Sequence, residues 1–396
     1  MNNLPLSARA GLLKPSPTLG ISAKANAMKA EGIDIVSFGA GEPDFNTPEP
    51  VCDAAIEAIR AGFTKYTPTA GIPSLRQAIS AKLERENRLR YTPDQIVVTC
   101  GAKQAIYNAL QVLIDPDDEV ILISPFWMTY AEQVRLAGGV PVIVQTHHKA
   151  GFIPDYEDLR EAITTKTKAI LVNSPSNPTG AVLPRATLKE IAGLSVRFGL
   201  WIVADEIYEH LIYDGLRHIS IASLGAEVLG RTVTINGCSK SYAMTGWRIG
   251  YAAAPLEVAK AMSNLQDQVT SNATSFAQWG AVAAMNLDPS VIETMRSEFQ
   301  ARRDLIYDLL TAIPYVSMAK PQGAFYALPD ISAYIGNELK SDSDLASYLL
   351  ERAKVAVVPG SVFHGPGHIR LSYAISRKDI VKGVARIAEA LSQRMA

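Results

Sequence analysis

The stretch Asn236-Gly-Cys-Ser-Lys240-Ser-Tyr-Ala-Met-Thr-Gly-Trp-Arg248-Ile-Gly-Tyr251 carries one lysine and one arginine between two apolar runs. Residues 232–235 before it and 249–254 at its end have the composition of buried strands. By composition alone, Lys240 would be an ordinary surface lysine. Because an unpaired charge between two buried strands is costly, we expect Lys240 to lose its proton and become a nucleophilic amine.

Arg248 follows in the same stretch and keeps its positive charge at ordinary pH. A guanidinium can bind a phosphate through two parallel hydrogen bonds. A nucleophilic amine near such an anchor suits pyridoxal 5′-phosphate (PLP), which carries an aldehyde and a phosphate. The stretch therefore predicts a PLP site with Lys240 as the attachment point.

The bulk composition limits the other possibilities. At 396 residues the chain is long enough for two domains, and 38 Lys+Arg against 39 Asp+Glu indicate neither a nucleic-acid nor a membrane partner. Three cysteines, an odd number, favour a reducing compartment over a disulfide framework. Residues 1–7 lack the pattern of a secretory signal, and no apolar run approaches the ~18 residues of a spanning helix. We therefore expect a soluble, cytoplasmic protein.

Several predicted strands end in side chains that could carry chemistry, and ligands bind at the carboxyl ends of strands in open α/β sheets. Asp205, Trp127 and Asn177 each follow an apolar run, although a helix cap, a core aromatic and a turn would explain them equally well. Gly101 joins a strand to a helix whose free N–H groups attract phosphate. Such turns occur in many folds, so this signal is weak by itself.

Arg370 alternates with Ile369 and Leu371 in an apolar segment, and so faces the opposite side from both. An ion pair with a structural acid is one interpretation. Binding of a substrate carboxylate is the other, and the residues alone leave both open.

The segment Ser-Lys-Ser-Tyr-Ala-Met-Thr-Gly-Trp-Arg-Ile-Gly-Tyr resembles the cofactor-lysine signature of class I aminotransferases, and is most similar to the bacterial and plastid aspartate/prephenate subgroup. The resemblance extends from about Lys14 to Arg370. It implies an α/β fold (PLP fold type I), with a large domain built on a mostly parallel sheet flanked by helices and a smaller α+β domain. Residues 1–30 would be an arm and helix belonging to the small domain, 31–300 the large PLP-binding domain, and 301–396 the C-terminal small domain.

The resemblance also implies the cofactor contacts. Lys240 would attach PLP and act as the catalytic base, while Asp205 would keep the pyridine nitrogen protonated and Trp127 would stack on the ring. The other expected cofactor contacts are Gly101, Ala102, Lys103 and Arg248 at the phosphate, Asn177 and Tyr208 at the phenolic oxygen, and Tyr66 reaching the phosphate of a neighbouring subunit. A homodimer with shared sites is therefore part of the expectation.

One position departs from the wider family. Relatives often carry a phosphate-binding serine three residues before the lysine, where this chain has Gly237. Ser239, adjacent to the lysine, is the alternative hydroxyl, and the resemblance leaves open which group meets the phosphate.

On the substrate side, Arg370 would bind the α-carboxylate together with Asn177, near the backbone of Gly39 and beside Trp127. Lys103 would face a distal carboxylate. An N-terminal arm with Lys14, Ser16 and Thr18 would fold over the substrate's side chain. The expected reaction moves the amino group of aspartate to 2-oxoglutarate, giving oxaloacetate and glutamate, with prephenate as a further acceptor.

The same predicted site residues are compatible with other functions. An aromatic or broad-specificity aminotransferase would keep the same site, and a PLP lyase or decarboxylase would keep Lys240, Asp205 and Arg248. A regulator built on this fold would need a DNA-binding module, for which no room is expected ahead of Lys14. A nicotinamide dehydrogenase is disfavoured because the glycine-rich turn from Gly39 lacks the third glycine of a dinucleotide loop.

Three local predictions concern the chain outside the central stretch. Proline at positions 5, 15 and 17 predicts irregular structure over residues 1–19, with a helix from Ile21 to Lys29. Residues 33–38 and 323–328 each have the composition of a strand.

Overall fold

The computed structural model describes residues 6–7, 10–11, 17–336 and 338–395. Seven strands form a central sheet in the order β2-β8-β7-β6-β5-β3-β4. β8 runs antiparallel to both of its neighbours, and the other pairs are parallel. The strand bounds are β2 Ile96–Thr99, β3 Glu119–Ser124, β4 Val140–Gln145, β5 Thr167–Asn173, β6 Trp201–Asp205, β7 Thr232–Gly237 and β8 Gly250–Ala253.

The sheet is mostly parallel and lies between helices, which confirms the predicted fold class. β2, β7 and β8 are buried along their whole length, as expected of strands with both faces covered. The helices are α1 Pro17–Ala30, α2 Glu49–Arg60, α3 Pro73–Lys82, α4 Ala102–Leu113, α5 Thr129–Leu136, α6 Tyr156–Glu161, α7 Arg185–Phe198, α8 Ala226–Leu229, α9 Leu256–Val269, α10 Ser275–Met285, α11 Pro289–Thr311, α12 Asp342–Tyr348 and α13 Arg377–Met395.

The helix ends follow the local sequence. α2, α3 and α11 each begin with proline within their first two positions, where the missing N–H costs nothing. Asp155 caps α6 by accepting the Glu157 N–H, and Asp288 caps α11 in the same way. α7 ends at Gly199, whose φ of 69° closes the last turn.

The remaining strands form two small sheets. β11 (Val358–Pro359), β12 (Ile369–Ser372) and β9 (Tyr326–Ala327) form an antiparallel three-stranded sheet in that order. β1 (Val36–Ser37) pairs in parallel with β10 (Val355–Ala356), outside the seven-stranded sheet. The two predicted strands at 33–38 and 323–328 are thus only two residues long, because irregular loops continue on both sides.

The N-terminal prediction was wrong in its boundary. The structure places residues 17–20 in α1, so the helix begins four residues earlier than predicted. Pro17 occupies the first helical position, where proline starts a helix rather than preventing one. The division into domains at residues 30 and 300 stays a prediction. Within the described residues, no helix is long and apolar enough to cross a membrane.

The strand directions decide where the polar side chains meet. β2, β3, β5, β6 and β7 all point the same way, so their carboxyl ends lie at one edge of the sheet. That edge faces the three-stranded sheet, and the cleft between them contains the residues described next.

Candidate active site

A cleft of about 800 Å³ lies at this edge of the sheet. Side chains from the large sheet line one side of it, and Tyr326 and Arg370 from the three-stranded sheet line the other. The predicted residues that line this one cleft are Gly39, Ala102, Lys103, Trp127, Asn177, Asp205, Tyr208, Ser239, Lys240, Arg248 and Arg370. Positions up to 331 residues apart in the chain, such as Gly39 and Arg370, are in contact there.

Lys240 follows β7 in the turn that leads to β8, and its Nζ donates a hydrogen bond to the Gly41 carbonyl. The amine lies 6.0 Å from the centre of the Tyr208 ring and 5.7 Å from that of Phe325. Burial lowers the pKa of Lys240 to about 8. Glu42 and Asp205 oppose this shift, and the guanidinium of Arg248 assists it. A substantial fraction of the amine is therefore neutral near physiological pH.

This lowered pKa predicts the reactivity of Lys240 in cofactor-free protein. Only the neutral amine is acylated, so the acylation rate should rise with pH with a midpoint of about 8. Competitive labelling with acetic anhydride, quantified by peptide mass spectrometry, measures that rate, with exposed Lys189 of α7 as the reference amine. Glu42→Gln should move the midpoint down, because the Glu42 carboxylate favours the charged form. A Lys240 profile without a midpoint between about pH 7 and 9 would contradict the prediction.

Asp205 is the last residue of β6 and is only 3% exposed. The Tyr130 hydroxyl donates to Oδ2 at 2.6 Å, and the Ile207 N–H donates to Oδ1 at 3.2 Å. Burial raises the pKa of this carboxyl to about 6, although both hydrogen bonds favour the ionised form. A cation placed against Asp205 would relieve that cost of burial, so the site favours a positively charged partner.

The opening of α4 and Arg248 form a cradle for an anion. Gly101 precedes α4 with a φ of 85°. The N–H groups of Ala102 and Lys103 at the start of the helix have no intrahelical partner, whereas that of Gln104 donates to the Gly101 carbonyl at 3.0 Å. Arg248 donates to the Thr245 carbonyl at 2.8 Å and to the Cys100 carbonyl at 3.3 Å, which holds its guanidinium over this turn. Both groups are positive, and together they suit a phosphate.

The cradle depends on the absence of a side chain at position 101. A Cβ there would lie 2.2 Å from Nη2 of Arg248 and would also be strained by the positive φ. Gly101→Ala should therefore displace Arg248 and weaken binding of a phosphate-bearing ligand by roughly tenfold or more, the loss of about one charge-assisted hydrogen bond. Equilibrium titration of cofactor-free protein with PLP measures this effect. Gly193→Ala in α7, where a Cβ meets nothing within 4 Å, is the control and should leave affinity unchanged.

Arg370 in β12 is buried, with 3% of its surface exposed. Its Nη1 donates to Asn177 Oδ1 at 3.1 Å and its Nη2 to the Gly39 carbonyl at 3.0 Å, while Nε has no partner within the described part of the chain. The guanidinium lies 4.6 Å from the centre of the Tyr326 ring and 4.8 Å from that of Phe363. Burial lowers the pKa of Arg370. No carboxylate side chain bonds it among the described residues, so the structural ion pair considered from sequence is wrong.

Lys103 and Trp127 occupy the same cleft near the cradle. The Lys103 Nζ lies 4.8 Å from the centre of the Trp127 ring, a cation–π contact. Burial lowers the pKa of Lys103, and the charge of Arg248 adds to the effect. A desolvated ammonium beside an aromatic face is available to pair with an acidic ligand.

Two tyrosines in the site were missed from sequence. Tyr130, which bonds Asp205, lies in the first turn of α5 and three residues after Trp127, so helical spacing from the aromatic could have indicated it. The Tyr326 hydroxyl is 3.0 Å from that of Tyr208, 118 residues away in the chain. No local pattern relates those two positions.

Among the predicted residues that the structure describes in full, Gly101 and Tyr66 do not line the cleft. Tyr66 is 92% exposed and lies outside it. Lys14 and Ser16 lie outside the described residues. Thr18 belongs to α1, but its side chain also lies outside what the structure describes. The peptide bonds Ser174–Pro175 and Asn177–Pro178, in the loop that carries Asn177, are both cis.

Comparison with known proteins shows which protein family the chain belongs to. The family model described as aminotransferase class I and II matches residues 33–387, so the chain belongs to that family. It is 49% identical over 390 residues to a probable aspartate/prephenate aminotransferase of Aquifex aeolicus, covering 98% of this chain and 99% of the relative. It is also 49% identical to an aspartate aminotransferase of a Bacillus species, covering 96% and 98%. A solved aspartate aminotransferase of Thermus thermophilus with maleate superposes with a TM-score of 0.93 at 46% identity, covering 98% of this chain and 100% of that one. These matches confirm the resemblance drawn from the lysine signature.

Proposed function

We propose that the chain is a PLP-dependent aminotransferase that moves the amino group of aspartate to 2-oxoglutarate, and that prephenate is a further acceptor. The observation that carries the proposal is the meeting, in one cleft, of an amine with a lowered pKa, a buried carboxylate, an anion cradle and a buried arginine. Relatives named for aspartate and for aspartate/prephenate support the substrate class.

The residues of the cleft fit PLP. Gly101, Ala102, Lys103 and Arg248 would hold its phosphate, because the missing side chain at 101 lets the Arg248 guanidinium approach the start of α4, where a Cβ would lie 2.2 Å from its Nη2. Asp205 would face the pyridine nitrogen, whose proton would relieve the buried carboxylate. Trp127 would cover the ring, and Tyr208 and Asn177 would bond its phenolic oxygen. When bound to Lys240, PLP supplies an electron sink for the substrate's α-carbon.

Ser239 is the hydroxyl that we propose for the phosphate. It is buried and lines the cleft. At Gly237, a Cβ would lie 2.8 Å from both Gly250 Cα and the Ile249 carbonyl, because β7 and β8 approach closely there. A serine at 237 would therefore force the strands apart, and the neighbouring position 239 supplies the hydroxyl instead.

The chain's own residues would then act on the substrate. Arg370 would bind the α-carboxylate as a fork, assisted by Asn177 and by the adjacent backbone of Gly39. Lys240 Nζ, neutral in a site shielded from water, would remove the proton from the α-carbon and later return one. The Tyr208 hydroxyl, held by that of Tyr326, would donate a hydrogen bond to the cofactor's oxygen.

Lys103 is the residue that we propose for the distal carboxylate of a dicarboxylic substrate. Its ammonium lies in the cleft against Trp127 and has a lowered pKa through burial, so an acidic ligand would stabilise its charge. Lys14, Ser16 and Thr18 stay predictions for the same end of the substrate, as does the cytoplasmic location.

A homodimer with shared sites is the assembly we propose. Large apolar side chains are exposed on α2 and the loop after it: Ile56 at 44%, Ile59 at 47%, Phe63 at 49% and Tyr66 at 92%. Several large apolar side chains exposed on one segment of the chain support an interface there. Tyr66 would then reach the partner's cofactor phosphate.

Shared sites predict complementation between inactive subunits. In a mixed dimer, Tyr66→Ala of one subunit and Lys240→Ala of the other fall in the same active site, so mixing the two variants under exchange conditions should create one site with neither defect. Activity of the mixture above the sum of the separate variants is the expected result, with sedimentation velocity giving the subunit number. Strict additivity in a mixture shown to contain hybrid dimers would argue against the shared site.

A comparison of reaction rates with different acceptors tests the proposed reaction. Purified protein with aspartate as donor should turn over with 2-oxoglutarate, and also with prephenate, but more slowly with phenylpyruvate, which has no second carboxylate for Lys103. With excess aspartate and no oxo acid, a transaminase stops after about one turnover per site, whereas a lyase continues. Continued turnover would overturn the proposal, and a preference for phenylpyruvate would favour the aromatic alternative.

A further inference from the structure

A second cluster of ligand-type side chains lies away from the active-site cleft. His148 belongs to a short helical turn, His148–Ala150, just after β4 at the edge of the seven-stranded sheet. Asp330 follows β9 and His368 precedes β12, next to the three-stranded sheet. One ligand atom from each residue lies within 4.8 Å of the other two, and all three side chains are half-buried.

Each of the three side chains is oriented by a separate contact. The His368 Nδ1 lies 3.0 Å from the Pro366 carbonyl, which can only accept, so Nδ1 carries the proton and Nε2 presents a lone pair. That Nε2 is buried and has no hydrogen-bond partner among the residues that the structure describes. The His148 Nε2 lies 3.1 Å from Ser317 Oγ, which leaves Nδ1 facing the cluster.

Asp330 completes the set. Its Oδ1 accepts the Ser332 N–H at 2.8 Å, so Oδ2 is left toward His148. The distance from Oδ2 to His148 Nδ1 is 3.7 Å, longer than a hydrogen bond. Two ligand atoms held about 2.0–2.2 Å from one tetrahedral ion lie about 3.3–3.6 Å apart. The distance between Asp330 Oδ2 and His148 Nδ1 is therefore close to that expected of two atoms bound to the same ion.

The backbone fixes two of the ligands. Asp330 forms isolated antiparallel bridges with both Ser317 and His368. The Phe152 ring is 6.0 Å from that of His368 and is itself buried, so it shields the cluster on one side. Ligands held by their own outer contacts are typical of metal sites, where such partners set tautomer and direction.

We propose that His148 Nδ1, His368 Nε2 and Asp330 Oδ2 form a binding site for a divalent transition-metal ion of the Zn²⁺ class. Two imidazoles and one carboxylate suit Zn²⁺, with water in the fourth position. The ion would join the edge of the large sheet to the segment that carries the small sheet. It would be separate from the PLP cleft and would take no part in the transamination.

Two further groups of possible ligands in the described part of the chain are less suited. Both contain Glu209, alongside Glu86 and His210 in one and Glu206 and His218 in the other. Glu209 already pairs with the Lys82 ammonium and accepts hydrogen bonds from Asn87 and Asn236. A metal ion bound to Glu209 would compete with the Lys82 ammonium for the carboxylate. No buried lysine pairs with Asp330 among the described residues, so the His148 cluster has no such competition.

Zinc titration of the full chain tests the proposal. Protein stripped with a chelator is titrated with ZnCl₂ against a chromophoric chelator, and bound metal is counted by mass spectrometry. We expect one equivalent to bind, with affinity at least about tenfold lower in His148→Ala and in His368→Ala. His147→Ala is the matched control, because His147 is the exposed neighbour outside the cluster, and it should bind as the unaltered chain does.

Asp330→Asn is the conservative variant if an alanine variant fails to fold, and it should also weaken binding by at least about tenfold. Zn²⁺ should raise the melting temperature of the unaltered chain and of His147→Ala, and not that of the cluster variants. Equal zinc affinity in the unaltered chain and in the cluster variants would overturn the proposal, since the ion would then bind elsewhere on the chain. Failure to bind zinc would overturn it as well, whatever the outcome of the transamination assays.

Discussion

Replacing Lys240 by alanine should lower the rate of transamination by at least about 10⁴-fold, because the variant loses both the nucleophile that attaches the cofactor and the base that moves the α-proton. The lowered pKa of about 8 makes this amine suited to both tasks. A coupled assay for oxaloacetate formation measures the loss. The visible absorption of covalently attached PLP should disappear in the same variant.

Lys189→Ala is the matched control, since Lys189 is an exposed lysine on α7 that does not line the cleft. It should keep both the rate and the absorption band. A Lys240→Ala variant that folds, binds PLP and still transaminates at the parental rate would contradict the assignment of Lys240, and with it the proposed function.

Replacing Arg370 by alanine should lower kcat/KM by roughly 10²–10⁴-fold, the loss of two charge-assisted hydrogen bonds at about 1.5–3 kcal/mol each. Arg370→Lys should lose less, because it keeps the charge but not the fork. Since the α-carboxylate is common to every amino acid, kcat/KM for aspartate and for tyrosine should fall together. Steady-state kinetics with both donors measures this.

Lys103 should affect substrates differently from Arg370. Lys103→Met should lower kcat/KM for aspartate more than for tyrosine, if Lys103 binds the distal carboxylate. Arg352→Lys, at an exposed position, should change neither. An Arg370→Ala enzyme with unchanged kcat/KM would exclude a fork on the α-carboxylate, and a melting temperature equal to that of the parent would exclude misfolding as the cause of a loss.

Much of the site was predictable because each functional side chain sits at a recognisable break in the chain. Asp205 and Asn177 follow apolar runs that form β6 and β5, and parallel strands bring such positions to one edge. Lys240 and Arg248 stand between two runs that form β7 and β8, and that geometry is local. Gly101 opens α4 as the strand–glycine–helix pattern indicated.

The amino-acid sequence by itself indicated strands of the sheet, the helices around it and the position of Lys240 between two apolar runs, because periodicity and residue type act over a few positions. Only the tertiary structure decided that Tyr130 bonds Asp205, that Tyr326 meets Tyr208, and that Arg370 contacts Gly39 and Asn177 instead of an acid. It also decided the pKa of Lys240, which depends on burial by segments distant in the chain. Burial and long-range contacts arise from how the two sheets face each other, and no local pattern encodes that arrangement.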